Sequence, residues 1–301
     1  MKIQHIAFGL TAATALSTVG LFAQAPSTTF LSDFGSVEFV ASAGFVANAD
    51  TVTGGSKTGD VDISHFRITA IQPYRLSPTI TLEGGIHVDY LDINTSSAAV
   101  ALPDELVQVA LVIGATWQIN PDWELLANVR PGLYGDGEVS DSDRFNVPFN
   151  VMARWTVNPA LALVFGVRVN PFADDVVMPV ASLRWQIDES WLLTAGVPRT
   201  EIAYAVNDRL SVFGGVGVNG GTYATDDPGI QAPAGRNLRD TKVDVSEFNA
   251  SVGATWKLTP RLSLRVEGGY VFEREFDYYD RNVKVEPDDA AFVSLSLTAS
   301  F

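Results

Sequence analysis

The stretch Trp155-Thr156-Val157-Asn158-Pro159-Ala160-Leu161-Ala162-Leu163-Val164-Phe165-Gly166-Val167-Arg168-Val169-Asn170 decides the fold class. From Leu161 onward, Leu161, Leu163, Phe165, Val167 and Val169 alternate with Ala162, Val164, Gly166, Arg168 and Asn170. A period of two marks a strand with two unlike faces. Upstream, Val147, Phe149, Val151, Ala153 and Trp155 alternate with Pro148, Asn150, Met152, Arg154 and Thr156 in the same way. Between the two runs stands Asn158-Pro159. Proline presets φ and asparagine bonds its own backbone, so the pair forms a turn. The stretch predicts an antiparallel hairpin with a tryptophan beside its tight turn.

The same unit recurs along the chain. Copies are Arg75-Leu76-Ser77-Pro78, Trp117-Gln118-Ile119-Asn120-Pro121-Asp122-Trp123, Trp185-Gln186-Ile187-Asp188-Glu189-Ser190-Trp191, Val206-Asn207-Asp208-Arg209-Leu210 and Trp256-Lys257-Leu258-Thr259-Pro260-Arg261-Leu262. Between the tight turns lie long polar stretches: Ala47–Val61, Thr95–Asp104, Gly135–Arg144, Ala224–Lys242 and Glu273–Asp289. Short turns alternating with long loops is the pattern of an outer-membrane barrel, with periplasmic turns and external loops. All six tryptophans, Trp117, Trp123, Trp155, Trp185, Trp191 and Trp256, fall beside the proposed turns. That suits an aromatic girdle at the periplasmic interface. Tyr90, Tyr134, Tyr223 and Phe272 lie near the opposite strand ends and are expected to form the upper girdle.

Strands are expected near 35–46, 63–75, 79–92, 105–119, 123–134, 145–157, 161–171, 177–187, 191–197, 200–206, 210–223, 243–257, 262–273 and 290–301. The fold class is therefore all-β: a closed antiparallel transmembrane β-barrel of about fourteen strands, even in number, with both ends in the periplasm. Strands 191–197 and 200–206 are short for a tilted span, and without them twelve remain.

Composition agrees. Only 18% of the 301 residues are charged, and the net charge of -15 argues against a nucleic-acid partner. The absence of cysteine removes disulfides and thiolate chemistry. Lys2 and His5 precede an apolar run from Ile6 to Phe22, and Ala23-Gln24-Ala25 fits a small-x-small cleavage site. The expected organisation is a signal peptide over 1–25 and a barrel over 26–301, exported to the bacterial outer membrane. Outer-membrane lipid would be its surroundings.

The last strand, Phe292-Val293-Ser294-Leu295-Ser296-Leu297-Thr298-Ala299-Ser300-Phe301, alternates apolar and small polar residues and ends in Phe301. It resembles the C-terminal recognition strand of bacterial outer-membrane barrels. That resemblance implies the barrel assembly machinery as a partner. The internal hairpins resemble an uncharacterised barrel family carried as a domain of unknown function, which implies no activity.

Alternation also sorts the faces. His65 and Arg67 oppose Phe66 and Ile68; Glu83, His87 and Asp89 oppose Leu82, Ile86 and Val88. Folding about Ser77 would set Arg67 opposite His87 and His65 opposite Asp89. Arg130, Arg154, Arg168, Arg184 and Arg265 fall on polar faces, as do Glu124, Glu247, Glu267 and Glu273. The expected lumen lining is thus His65, Arg67, Glu83, His87, Asp89, Arg130, Arg154, Arg168, Arg184, Arg265 and Glu267. One reading is structural, with arginines and acids tying strands together. The other is a polar lining that passes small solutes.

Catalysis is not expected. No G-x-S-x-G occurs, and Ser64 points away from the face of His65. A metal held by His65, His87 and Asp89 is chemically reasonable but weaker than a polar cross-strand trio. No cofactor is implied. The expectation is a passive pore. The alternatives are a closed structural barrel whose loops contact a partner and, less favoured, a lipid hydrolase.

Overall fold

The computed structural model describes residues 37–137, 141–226, 230 and 236–301. The expected leader and its cleavage site fall outside them. Seventeen strand segments form one sheet. Three consecutive pairs of segments are halves of single strands, which leaves fourteen. In chain order these are β1 (Glu38–Thr53), β2 (Ser56–Arg75), β3 (Ile80–Thr95), β4 (Glu105–Gln118), β5 (Trp123–Val129 with Gly132–Gly135), β6 (Phe145–Asn146 with Phe149–Asn158) and β7 (Leu161–Val169). There follow β8 (Val177–Gln186), β9 (Trp191–Gly196), β10 (Arg199–Ala205), β11 (Leu210–Thr225), β12 (Thr241–Thr259), β13 (Leu262–Tyr278) and β14 (Val283–Pro287 with Ala290–Ser300). Pro131 and Pro148 sit where β5 and β6 are interrupted, because proline has no N–H for the ladder.

The sheet closes on itself. β1 pairs antiparallel with β14 from Glu38↔Ser300 to Val46↔Phe292. Beyond that pairing, Val37 and Phe301 exchange two backbone hydrogen bonds of 3.0 Å. At this seam no edge is left open, so the peptide groups of β1 and β14 are satisfied without water. The large apolar side chains of the wall point outward: Phe66, Ile86, Val151, Phe165, Val167, Val252 and Val293 are all exposed. A soluble sandwich would bury them.

The β9–β10 hairpin is part of the wall, so the count is fourteen rather than twelve. Two expected long loops are instead strand. β1 and β2 run through most of Ala47–Val61 to a turn at Gly54-Gly55, whose φ values of 59° and 82° suit glycine. β13 likewise continues to Tyr278 and pairs with Val283–Val285. Polar composition there marks strands that leave the apolar band, not loss of pairing. Asn170–Val176 connects β7 and β8, within a residue or two of the expected strand ends at 171 and 177.

Two side-chain placements also differ. Tyr134 and Tyr223 are buried, not in an outward girdle. The break at Pro131 resets the facing of β5, and the loop-end half of β11 is covered by neighbouring elements. Glu273 adopts φ 55° at a register shift between β12 and β13, so Arg274 takes the inward place and Glu273 is exposed.

At the loop end the inward faces are apolar. Val61, Ile63, Ile93, Leu106, Val243, Val245, Val271, Phe276 and Val285 pack there in one cluster. The β3–β4 connection folds in and adds Val100, Ala101 and Leu102. Burying each large aliphatic side chain contributes about 2 kcal/mol. The loop end of the barrel is therefore filled, while the turn end is lined by polar side chains.

Candidate functional site

The polar side chains form a belt across the middle and turn-side half of the barrel. All eleven predicted lining residues lie on faces opposite the exposed apolar ones, because face assignment needs only parity. Their partners are a different matter. The β2–β3 turn spans Leu76–Thr79 with Arg75 opposite Thr81, so the fold centres on Pro78 rather than Ser77. Arg67 consequently faces Asp89, Thr69 faces His87, and His65 faces Leu91. The expected register was two residues off, which preserves the faces and changes every pair.

Asp89 anchors the first cluster. It is buried, and its two oxygens are divided between neighbours. Arg67 donates from Nη2 at 2.6 Å and from Nε at 3.0 Å to one oxygen, and His65 Nε2 lies 2.6 Å from the other. His87 is fully buried and meets the Thr69 hydroxyl at 2.7 Å through Nδ1. His65, His87 and Asp89 are thus near one another, but the arginine already supplies the cation. Among the described residues no group of three or more His, Asp or Glu side chains is placed to hold a metal ion.

A second cluster lies on β10, β12 and β13. Arg265 donates to Glu201 at 2.6 Å and to Glu267 at 3.2 Å. Arg199 donates to Glu201 and to Glu267, each at 2.8 Å. The Ser251 hydroxyl adds a 2.5 Å bond to Glu267. Two arginines and two glutamates form a closed ring, and the Arg265 guanidinium lies 3.5 Å from the centroid of Phe213. Sequence reasoning missed Arg199 and Glu201, because it assigned Arg199 to a turn. The alternation Arg199-Thr200-Glu201 was the available signal.

On β5, β6 and β7 the belt changes character. Arg154 and Glu124 face each other at 3.6 Å. Nearer the loop end an amide ladder replaces ion pairs: Asn150 donates to Asn128 at 3.0 Å, Asn146 to Asn170 at 2.7 Å, and Asn170 to Thr222 at 3.2 Å. Arg130, Arg168 and Tyr134 lie beside it, with the Tyr134 hydroxyl donating to the Arg130 carbonyl oxygen at 2.8 Å. The Asn170–Val176 connection is pinned from above. Tyr279, in the turn after β13, donates a 2.5 Å bond to the Phe172 carbonyl oxygen. Burial, together with Asp244, Asp280 and Asp174, holds that tyrosine hydroxyl well above its ordinary pKa, so it remains a donor.

The turn end carries the tryptophans. Trp117, Trp155, Trp185, Trp191 and Trp256 are exposed, and Trp123 stacks on Trp155 at 5.7 Å. Phe301 is exposed at the same end, beside the start of β1.

This arrangement can hold or pass a polar solute.

A family model described as a domain of unknown function, DUF6268, matches residues 22–292. No curated protein matches the chain. Among solved structures, the COG4313 outer membrane channel from Pseudomonas putida F1 is 16% identical with a TM-score of 0.53, covering 92% of this chain and 99% of that one. The Ralstonia pickettii toluene transporter TbuX is 9% identical, TM-score 0.42, with 88% and 90% covered. The NanC porin is 9% identical, TM-score 0.40, with 87% and 98% covered. The first of these likenesses shows that the fold is that of an outer-membrane channel.

Proposed function

The chain belongs to the DUF6268 family, and from that premise and its barrel we propose that it is a passive pore for small solutes in the bacterial outer membrane. The observation that carries this reading is the polar belt. Arg67, Arg154, Arg199 and Arg265 point inward and stay partly accessible even though each is paired with an acid. Charged side chains in a wet interior tune which solutes pass. The eleven residues from His65 to Glu267 named above are the lining in this reading.

The remaining parts fit the same location. Residues 1–25 act as the cleaved leader. The tryptophans form the periplasmic girdle in outer-membrane lipid, and Phe301 ends the strand read by the assembly machinery. A second reading is favoured by the apolar cluster at the loop end: a closed barrel whose loops contact a surface partner.

Single-channel conductance of the detergent-refolded, leaderless protein in a planar bilayer separates the two. Stable steps, with ion selectivity altered in Arg154→Glu and Arg168→Glu, support the pore. Silence from protein shown to be folded and inserted leaves the closed barrel.

A further inference from the structure

The free inner surface of the barrel is not spread evenly round the ring. Ala110, Val112, Met152, Ala162 and Val180 face inward through the middle of β4, β6, β7 and β8, and all are buried. At the closing seam the inward residues of β1 and β14 are instead half-buried: Ser42, Gly44, Ser294 and Ser296. Water therefore reaches the lumen wall at the seam and is kept from the wall across the ring.

Register fixes what flanks this surface. Ser42 lies between Ser296 on one side and Arg67 on the other, and Ser296 in turn lies opposite Arg265. One row thus reads Arg265, Ser296, Ser42, Arg67 across β13, β14, β1 and β2. The next inward row toward the loop end reads Glu267, Ser294, Gly44, His65. Neighbouring strands lie about 4.8 Å apart, so the two arginines rise from points about 14 Å apart along the wall, with only two serines between them.

The charges at the edges of the seam are sorted by depth. The side chains of Arg67 and Arg265 are 27% and 29% exposed, whereas those of Asp89, Glu267 and Glu201 are 4%, 9% and 16% exposed. Arg67 bonds Asp89 on β3, and Arg265 bonds Glu201 on β10, each on the side away from the seam. A solute at the seam meets the guanidiniums first and the carboxylates behind them. Glu38 shares the inward face of β1 but stands nearer the turn end. A lining that presents its cations draws anions.

We infer that small anions enter the barrel along the seam between β14 and β1, passing between Arg67 and Arg265. The inference deepens the pore reading by naming a solute class and a path. It rests on that reading for passage across the membrane, while entry rests on the seam alone.

The chain has no cysteine, so a single introduced cysteine reports access without background. The test compares alkylation of the detergent-refolded, leaderless protein by iodoacetate and by iodoacetamide, read by mass spectrometry. Ser42→Cys and Ser296→Cys each exchange oxygen for sulfur, and heat-modifiable gel mobility checks that they fold. The ratio of iodoacetate to iodoacetamide rates is divided by the same ratio at Thr79→Cys, in an exposed turn. At low ionic strength the normalised ratio is expected to be roughly threefold or more, and to fall toward unity as salt rises. Val112→Cys, on the filled wall, should react with neither reagent. Seam cysteines that resist both reagents, a normalised ratio at or below unity, or a Val112→Cys as reactive as the seam would each overturn the inference. In planar bilayers, carboxymethylated Ser296→Cys should give smaller conductance steps than the unmodified variant, and unchanged steps after complete modification would also overturn it. A silent wild type whose seam cysteines take iodoacetate as expected keeps entry and removes the pore. Conductance with unreactive seam cysteines removes the seam path and keeps the pore.

Discussion

The Tyr278 hydroxyl donates a 2.8 Å hydrogen bond to the carbonyl oxygen of Ala101. The bond ties the loop end of β13 to the connection between β3 and β4, and both residues are fully buried. Val100 and Leu102 flank the bonded carbonyl and join the apolar cluster. The connection therefore behaves as a stopper held by apolar contacts and by polar tethers, of which this bond is one and the bonds between Ser96 and Asp60 are others.

If this stopper obstructs the barrel, shortening Ser97–Leu102 to a tight turn will raise single-channel conductance well above wild type. Tyr278→Phe removes only this one tether. It should cost about 1 kcal/mol and raise the frequency of opening without changing the step size. Identical traces from wild type and the shortened protein would place the obstruction elsewhere.

The Asp89 carboxylate is buried against Arg67 and His65. Arg67→Met strands that carboxylate and should destabilise the barrel by about 3 kcal/mol or more. Removing both charges in Arg67→Met/Asp89→Leu should restore much of the loss. Urea titrations in lipid vesicles, followed by tryptophan fluorescence, measure both. Equal midpoints for the single and double variants would mean that the pair is not coupled.

Adjacent glycines make opposite demands. A Cβ at Gly85 would meet the Ala70 carbonyl oxygen at 2.2 Å, whereas one at Gly84 meets nothing within 4 Å. Gly85→Ala should lower the yield of folded barrel severely, and Gly84→Ala should leave it near wild type. Heat-modifiable mobility on gels gives the folded fraction. A well-folded Gly85→Ala would show that β2 and β3 separate more easily than this contact implies.

All six tryptophans lie at the turn end. Lipids brominated near the headgroup should therefore quench the intrinsic fluorescence more than lipids brominated near the bilayer centre. Equal quenching at both depths would contradict a girdle at one interface.

How much of this was legible from residues alone depends on which physical property each feature needs. Strand identity and facing need only parity, and Phe165, Val167 and Arg168 declare it locally. Register needs an exact turn count, and at Ser77-Pro78 an offset of two kept His65, Arg67, His87 and Asp89 on the right face while misnaming their partners. The loop-end core was hidden for a different reason. On β12, Val252, Ala254 and Trp256 share one parity, whereas Val243 and Val245 have the other. The apolar face turns from lipid to interior along one strand, so alternation alone did not say which face Val243 and Val245 take.

The sequence by itself determined that the chain makes amphipathic antiparallel hairpins, about fourteen strands, with tryptophans at the turn end and arginines facing away from the apolar surface. Those features follow from spacing and turn chemistry, which act over a few residues. Only the tertiary structure decided which charges meet, that Asn170–Val176 and the end of β5 fold toward β11, and that the loop end is packed with Val61, Phe276 and Leu102. Such contacts join residues far apart in the chain. They are set by ring closure and by the competition of many side chains for one interior, and no local pattern encodes that competition.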